Sequence, residues 1–190
     1  EQVLEGSGNR LLPGMIDIHV HFRQPGFGHK ETWTTGSKSA AAGGVTTVVD
    51  QPNTDPATVD GAGYDEKADY AADSLVDYGI NGGVTDEWVP EELFDRPLFA
   101  LGEVLLADST GDMGIDGNLF AEALERASEA ETTVTVHAED ATLFNESARD
   151  RDDADAWSAY RTARAESEAV RRACALAQER ETQIHIAHTS

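Results

Sequence analysis

Apolar residues recur along this chain in two rhythms. Short runs rich in β-branched and aliphatic residues fall at 15–21, 46–50, 78–84, 98–107, 132–137 and 182–188. Between them, at 34–42, 65–72, 118–131 and 159–180, the pattern is helical. The first rhythm is that of a strand and the second that of a helix. In the last helical stretch Ala169, Ala173, Leu176 and Ala177 share one face, and Gly43-Gly44 supplies a stop after 34–42. Strands alternating with helices predict an α/β fold of βαβ units, with a parallel sheet covered on both faces. No phosphate-binding glycine fingerprint follows the first strand, and 150–155 reads as a charged, solvated loop.

The chain has 190 residues, enough for a core of its own but short of the roughly 250 of a complete (β/α)₈ barrel. Acidic side chains number 36 against 14 basic ones, a net charge of -22, and lysine occurs only at Lys30, Lys38 and Lys67. Such a surface repels phosphate, which argues against nucleic acid as a partner. The acids are spread among ordinary apolar runs, so they point to adaptation to a salt-rich cytoplasm rather than to disorder. An acidic protein of ordinary salinity is the alternative. The single cysteine, Cys174, excludes a disulfide framework and reads as a small core residue of the last helix. No apolar run approaches the roughly 18 residues of a spanning helix, which predicts a soluble, cytoplasmic protein with no membrane partner.

The histidines carry the candidate chemistry. His19 and His21 stand two apart in the first strand-like run, so both imidazoles face one side and can reach one cation. The pair lies at the C-terminal end of that strand, the edge where α/β barrels place their active sites. His137 closes a later run, and His188 does the same after Ile184–Ala187. Four imidazoles at three strand ends converge on one barrel mouth, and imidazole suits zinc and similar ions. Alternatively, each is a hydrogen-bonded histidine at a strand end with no further role. His185 reads as structural or substrate-adjacent, and His29, in a glycine-flanked loop, as a surface residue.

The run LPGMIDIHVHFRQPG from Leu12 to Gly26 resembles the signature of the dihydroorotases, cyclic amidohydrolases built on a metal-dependent barrel. The run AAGGVTTVVDQPNT from Ala41 to Thr54 resembles that family's second block, and VHAED at Val136–Asp140 and HIAHTS at His185–Ser190 resemble its fifth- and sixth-strand blocks. The resemblance implies a partial TIM (β/α)₈ barrel with about six of eight strands, occupying 13–190. Residues 1–12 would then be an entry segment and remnant of a mostly missing flanking β-domain. It also implies one or two Zn²⁺ ions, with His19 and His21 on one and His137 and His188 on the other. The substrate would be dihydroorotate, hydrolysed reversibly to N-carbamoyl-aspartate in pyrimidine synthesis, with Arg23 and Asn53 binding its carboxylate. A guanidinium fits a carboxylate in a two-pronged pair; a surface ion pair is the plainer role for Arg23.

Two departures from the family pattern bear on mechanism. Many relatives bridge two metals with a carboxylated lysine in the fourth strand, but no lysine follows Lys67 here. Glu103 is the expected substitute, because an unpaired charge within its apolar run would be costly. Asp108 is the other carboxylate nearby, and a single metal held by histidines the other arrangement. The family's general base, an aspartate of the eighth strand, falls beyond Ser190, so this stretch alone is expected to be inactive. An allantoinase or hydantoinase-type amidase remains open, as does a non-catalytic dihydroorotase-like scaffold for aspartate transcarbamoylase. A homo-oligomer is the other expected association. If the acidic surface is a salt adaptation, the unfolding midpoint rises steeply from dilute to molar potassium chloride; a flat or falling midpoint in denaturation experiments overturns that reading.

Overall fold

Each predicted run forms a strand, its ends shifted by up to four residues, in a computed structural model that describes residues 6–107 and 113–190. Strands β1 (Met15–Val20), β2 (Val45–Asp50) and β3 (Asp77–Ile80) pair in parallel in that order. Strand β4 (Leu101–Leu106) pairs in parallel with β6 (Val134–Ala138), and β6 with β7 (Ile184–Ile186). A parallel bridge from Gly82 to Leu101 joins the two sheets, with Gly82 N–H donating to Ala100 O at 3.1 Å. The result is a wall of six parallel strands in chain order, the expected part of a TIM barrel. A two-residue strand, β5 (Gly114–Ile115), adds to the upper end of β4; it is too short to show a period in sequence.

The helices begin where short polar side chains can cap them. Helix α1 (Trp33–Ala42) starts at Thr32, whose hydroxyl accepts from Thr35 N at 3.1 Å, and ends at Gly43, with Gly44 left-handed at φ 84°. Asp60 caps α2 (Gly61–Ala71) through Gly63 N at 2.7 Å. A short α3 (Pro90–Phe94) opens on a proline at its first turn, a segment the periodicity did not single out. Asp116 caps α4 (Gly117–Glu129) through the N–H groups of Asn118 and Leu119.

The expected single helix at 159–180 is two. Helix α5 (Ala156–Tyr160) ends before Thr162, whose hydroxyl accepts from Ala165 N at 3.2 Å and starts α6 (Ala163–Glu179) afresh. A threonine that bonds backbone locally competes with helix continuation. The break leaves Arg161 in extended conformation between the two helices.

All six residues of β4 are buried, so this strand runs through the centre of the wall. Phe120, Ala123, Leu124 and Ala127 of α4 and Ala165, Ala169, Ala173 and Ala177 of α6 complete the core on the outer side. The alanine row, repeating every four residues, lets α6 lie close against the sheet. Two expectations fail here. Cys174 is exposed, because it follows Ala173 and so faces about 100° away from the buried row. The sheet is not covered throughout: Met15, Ile16 and Ile18 of β1 are exposed, since among the described residues β1 has a strand neighbour on one side only. The 150–155 stretch is solvated as expected. No described helix is long and apolar enough to cross a membrane.

Close packing under α6 makes a specific demand. Ala173→Leu forces extra volume into a filled site and costs about 1–3 kcal/mol, whereas Cys174→Ala stays within about 0.5 kcal/mol. Chemical denaturation of the two variants checks the contrast.

Candidate metal centre

The upper ends of three parallel strands and their following turns carry the candidate ligands. The two-residue period of β1 puts His19 within the strand and His21 just past its end, on one side. His137 lies near the end of β6, and His188 stands two residues beyond β7. Strand β4, between β3 and β6 in the wall, contributes Glu103, only 6% exposed.

Glu103 is the centre of this constellation. Its Oε1 lies 2.7 Å from His188 Nε2 and 3.1 Å from His137 Nδ1, and its Oε2 lies 3.5 Å from His19 Nε2 and 3.8 Å from His21 Nε2. Ring centroids are 5.2 Å apart for His19–His21, 5.1 Å for His19–His188 and 4.8 Å for His137–His188. The potential ligand atoms form two groups, His19–His21–Glu103 and Glu103–His137–His188, each spanning no more than 4.8 Å and sharing the one carboxylate. Four imidazoles and a carboxylate are a donor set suited to zinc or a similar divalent ion. Asp108, the other carboxylate weighed above, lies outside the described residues.

Burial opposes the charged form of Glu103, but hydrogen bonds from His137, His19 and His188 outweigh it and hold the carboxyl far below the usual range. In the metal-free protein, that stabilisation is present above the unfolded carboxyl's value of about 4.3 and is lost as pH falls. His21 is shifted down, first by burial and then by the nearby Arg23 charge. A lowered value keeps its imidazole neutral, the form that ligates.

The local backbone shapes this rim. Gly102 has φ 144°, and a Cβ there would lie 2.1 Å from Thr135 Oγ1 and 2.4 Å from Thr135 O. Only glycine lets β4 approach β6 so closely beside Glu103. Among the described non-glycine residues, five have positive φ; Glu131 and Glu181 follow helix ends, but Arg23 (64°) and His188 (32°) are candidate site residues. Strain of this kind persists where the surroundings impose it.

Arg23 and Asn53 line one cavity of about 1070 Å³, together with Lys30 and Met113. Asn53 Oδ1 lies 2.8 Å from His21 Nδ1. It accepts that N–H, which leaves His21 Nε2 as the ring nitrogen with a lone pair for an ion, and leaves the Asn53 amide NH₂ as a hydrogen-bond donor. Asn53 thus touches the metal group as well as the cavity, a link its sequence position did not reveal. Sequence reasoning also missed Glu139 and Arg161: Glu139 Oε2 is 3.3 Å from His137 Nε2, and Arg161 pairs with Glu139. Two residues of separation between His137 and Glu139 was the available signal. His185 belongs to neither ligand group; with Ile18, His19, Thr135 and His188 it lines a small cavity of about 260 Å³. His29 is exposed, against Phe27.

Residues 8–190 match the family model described as Dihydro-orotase-like. The chain belongs to the dihydroorotase-like family. It is 68% identical over 182 residues to a dihydroorotase of Halobacterium salinarum, covering 95% of this chain and 43% of the relative. A dihydroorotase of Methanosphaera stadtmanae is 35% identical over 191 residues, with 96% and 43% covered. The chain therefore spans less than half the length of these curated relatives. Among solved structures, the L-hydantoinase of Arthrobacter aurescens superposes with a TM-score of 0.82 at 24% identity, over 92% of this chain and 41% of that one. A D-hydantoinase superposes with a TM-score of 0.78 at 30% identity, over 92% and 40%. These neighbours share the amidohydrolase barrel fold.

Glu103→Gln removes the shared charge and lowers divalent-metal affinity by more than about 100-fold, beyond what loss of an outer partner costs. Gly102→Ala, which must move β4 away from Thr135, destabilises the protein by at least about 2 kcal/mol and lowers metal content with it. Elemental analysis and denaturation of the purified full-length variants check both.

Proposed function

We propose that these residues form the metal-binding and carboxylate-binding part of a zinc-dependent dihydroorotase. The enzyme would open the cyclic amide of dihydroorotate to N-carbamoyl-aspartate, and close it in the reverse direction, in pyrimidine synthesis. The observation that carries the proposal is the buried Glu103 carboxylate shared by two histidine pairs, with Arg23 and Asn53 on an adjoining cavity. His19 and His21 would hold one ion, His137 and His188 a second, with Glu103 between them in place of a carboxylated lysine. We assign 13–190 to the barrel and 1–12 to its entry segment.

A divalent ion bound there supplies polarisation of the ring amide carbonyl and acidification of water. The protein's own groups do the rest. Arg23 pairs with the substrate carboxylate, and the Asn53 amide donates to it, so that the scissile carbonyl faces the histidines; this is positioning. Glu103 keeps its negative charge at neutral pH and so balances the cationic centre. Proton transfer to the leaving nitrogen needs a further general acid–base group, which the family resemblance assigns to an aspartate of a later strand.

Similarity to dihydroorotases at 68% and 35% identity supports this reading over a hydantoinase-type activity. The four histidines and the buried glutamate support a catalyst over a scaffold that has lost its ligands. The salt-adapted surface fits the likeness to a Halobacterium protein, and we place the enzyme in the cytoplasm.

The full-length protein should hydrolyse dihydroorotate in preference to allantoin and hydantoin. Arg23→Ala should lower kcat/KM for dihydroorotate by about 100-fold, near 3 kcal/mol, as loss of a charged two-pronged pair predicts. Equal activity on all three substrates, or an unaffected Arg23→Ala variant, overturns the assignment.

A further inference from the structure

Lys67 and Asp50 form an ion pair sealed from water, with both side chains fully buried and Lys67 Nζ 2.8 Å from Asp50 Oδ2. Neither residue belongs to the candidate metal centre. A buried pair is a poor source of stability, because an apolar pair of similar volume usually does as well or better. Its connections are more informative. Asp50 closes β2, and its other oxygen, Oδ1, accepts the backbone N–H of Phe22 at 2.7 Å. Lys67 Nζ also donates to the Gln51 carbonyl, and the buried Gln51 side chain donates to Ile18 O at 3.2 Å while accepting from Asn81 Nδ2 at 3.2 Å. One lysine of α2 therefore fixes the ends of both β1 and β2.

Phe22 is the hinge between two residues that matter: His21 precedes it and Arg23 follows it, with Arg23 in the left-handed region at φ 64°. The Phe22 ring is clamped from the other side by α1, against Trp33 with ring centroids 5.1 Å apart and against Gly36, where a Cβ would lie 2.4 Å from the ring. Ring packing fixes where Phe22 sits, and the hydrogen bond to Asp50 fixes how its peptide is turned. That turn sets the directions of the imidazole before it and the guanidinium after it.

We infer that the buried Lys67–Asp50 pair is a positioning device: Lys67 holds the Asp50 side chain oriented so that its Oδ1 latches the Phe22 N–H, aiming His21 at the metal group and Arg23 at the substrate cavity. The inference rests on the proposed dihydroorotase reading. It differs from a purely structural role in one respect: the acceptor for Phe22, not the pair's charge, is what the site needs.

The test uses the full-length protein loaded with zinc, comparing K67M, D50N/K67M and D50L/K67M below their unfolding midpoints. K67M strands a buried carboxylate; it should lose at least tenfold in kcat/KM, mainly through a raised KM, and retain less zinc after dialysis. D50N/K67M removes both charges but keeps an acceptor for Phe22, and should recover most of the kcat/KM and zinc. D50L/K67M removes both charges and the acceptor, and should remain impaired while folded. A D50L/K67M protein with wild-type kcat/KM and zinc content overturns the inference, as does an unimpaired K67M. If D50L/K67M does not fold, D50N/K67M decides: recovery of KM and zinc supports the latch, and a folded protein without recovery overturns it. A wild-type protein inactive on dihydroorotate refutes the functional reading instead, so the two failures are distinguishable.

Discussion

A carboxylate taken out of water has to be compensated, and compensating Glu103 organises this molecule. It sits on the most buried strand of the wall, beside a glycine whose missing side chain admits the neighbouring strand. Imidazoles from β1, β6 and the turn after β7 gather around it, two on each oxygen. Hydrogen bonds from three of them overcome the burial that would otherwise favour the neutral acid. The result is an anion sheltered by imidazole dipoles and N–H groups, placed where its oxygens and the surrounding ring nitrogens form two potential ligand groups. Its two oxygens lie between two histidine pairs, so one buried charge is shared by both.

Around this centre the structure spends its less favourable backbone and its buried charge on orientation. Arg23 and His188 adopt left-handed conformations that ordinary residues avoid, and both stand on turns that leave strand ends. Asp50 and Lys67 occupy the layer beneath, where an ion pair gains little stability but holds a peptide in one attitude. Asn53 connects the histidine cluster with the cavity that Arg23 lines, through its hydrogen bond with His21. The barrel wall supplies position to within a strand spacing, and these polar contacts supply direction.

Much of this was legible in the residues themselves. The alternation of apolar runs and helical stretches marked all six wall strands, because a buried parallel strand is continuously apolar and a covering helix is not. The histidine spacing at His19 and His21, and the strand-end places of His137 and His188, marked the four imidazoles that gather around Glu103. Elsewhere the pattern misled for local reasons. The helix at 159–180 breaks at Thr162, since a hydroxyl competing for backbone N–H is invisible to a hydrophobic period. Cys174 lies one position off the alanine row and so faces outward, and β1 is less covered than its apolar residues implied.

By itself the sequence determined the family, the parallel α/β wall and which side chains stand at strand ends, because periodicity and residue chemistry are local properties. Tertiary structure decided which of those side chains meet. Glu103 and His188 are 85 positions apart and lie 2.7 Å apart; Asp50 touches Lys67 and Phe22; Arg161 reaches Glu139 only because a helix ends before it. Such contacts depend on register between strands and on the rotation of each helix against the sheet, quantities that close packing fixes and no single segment encodes.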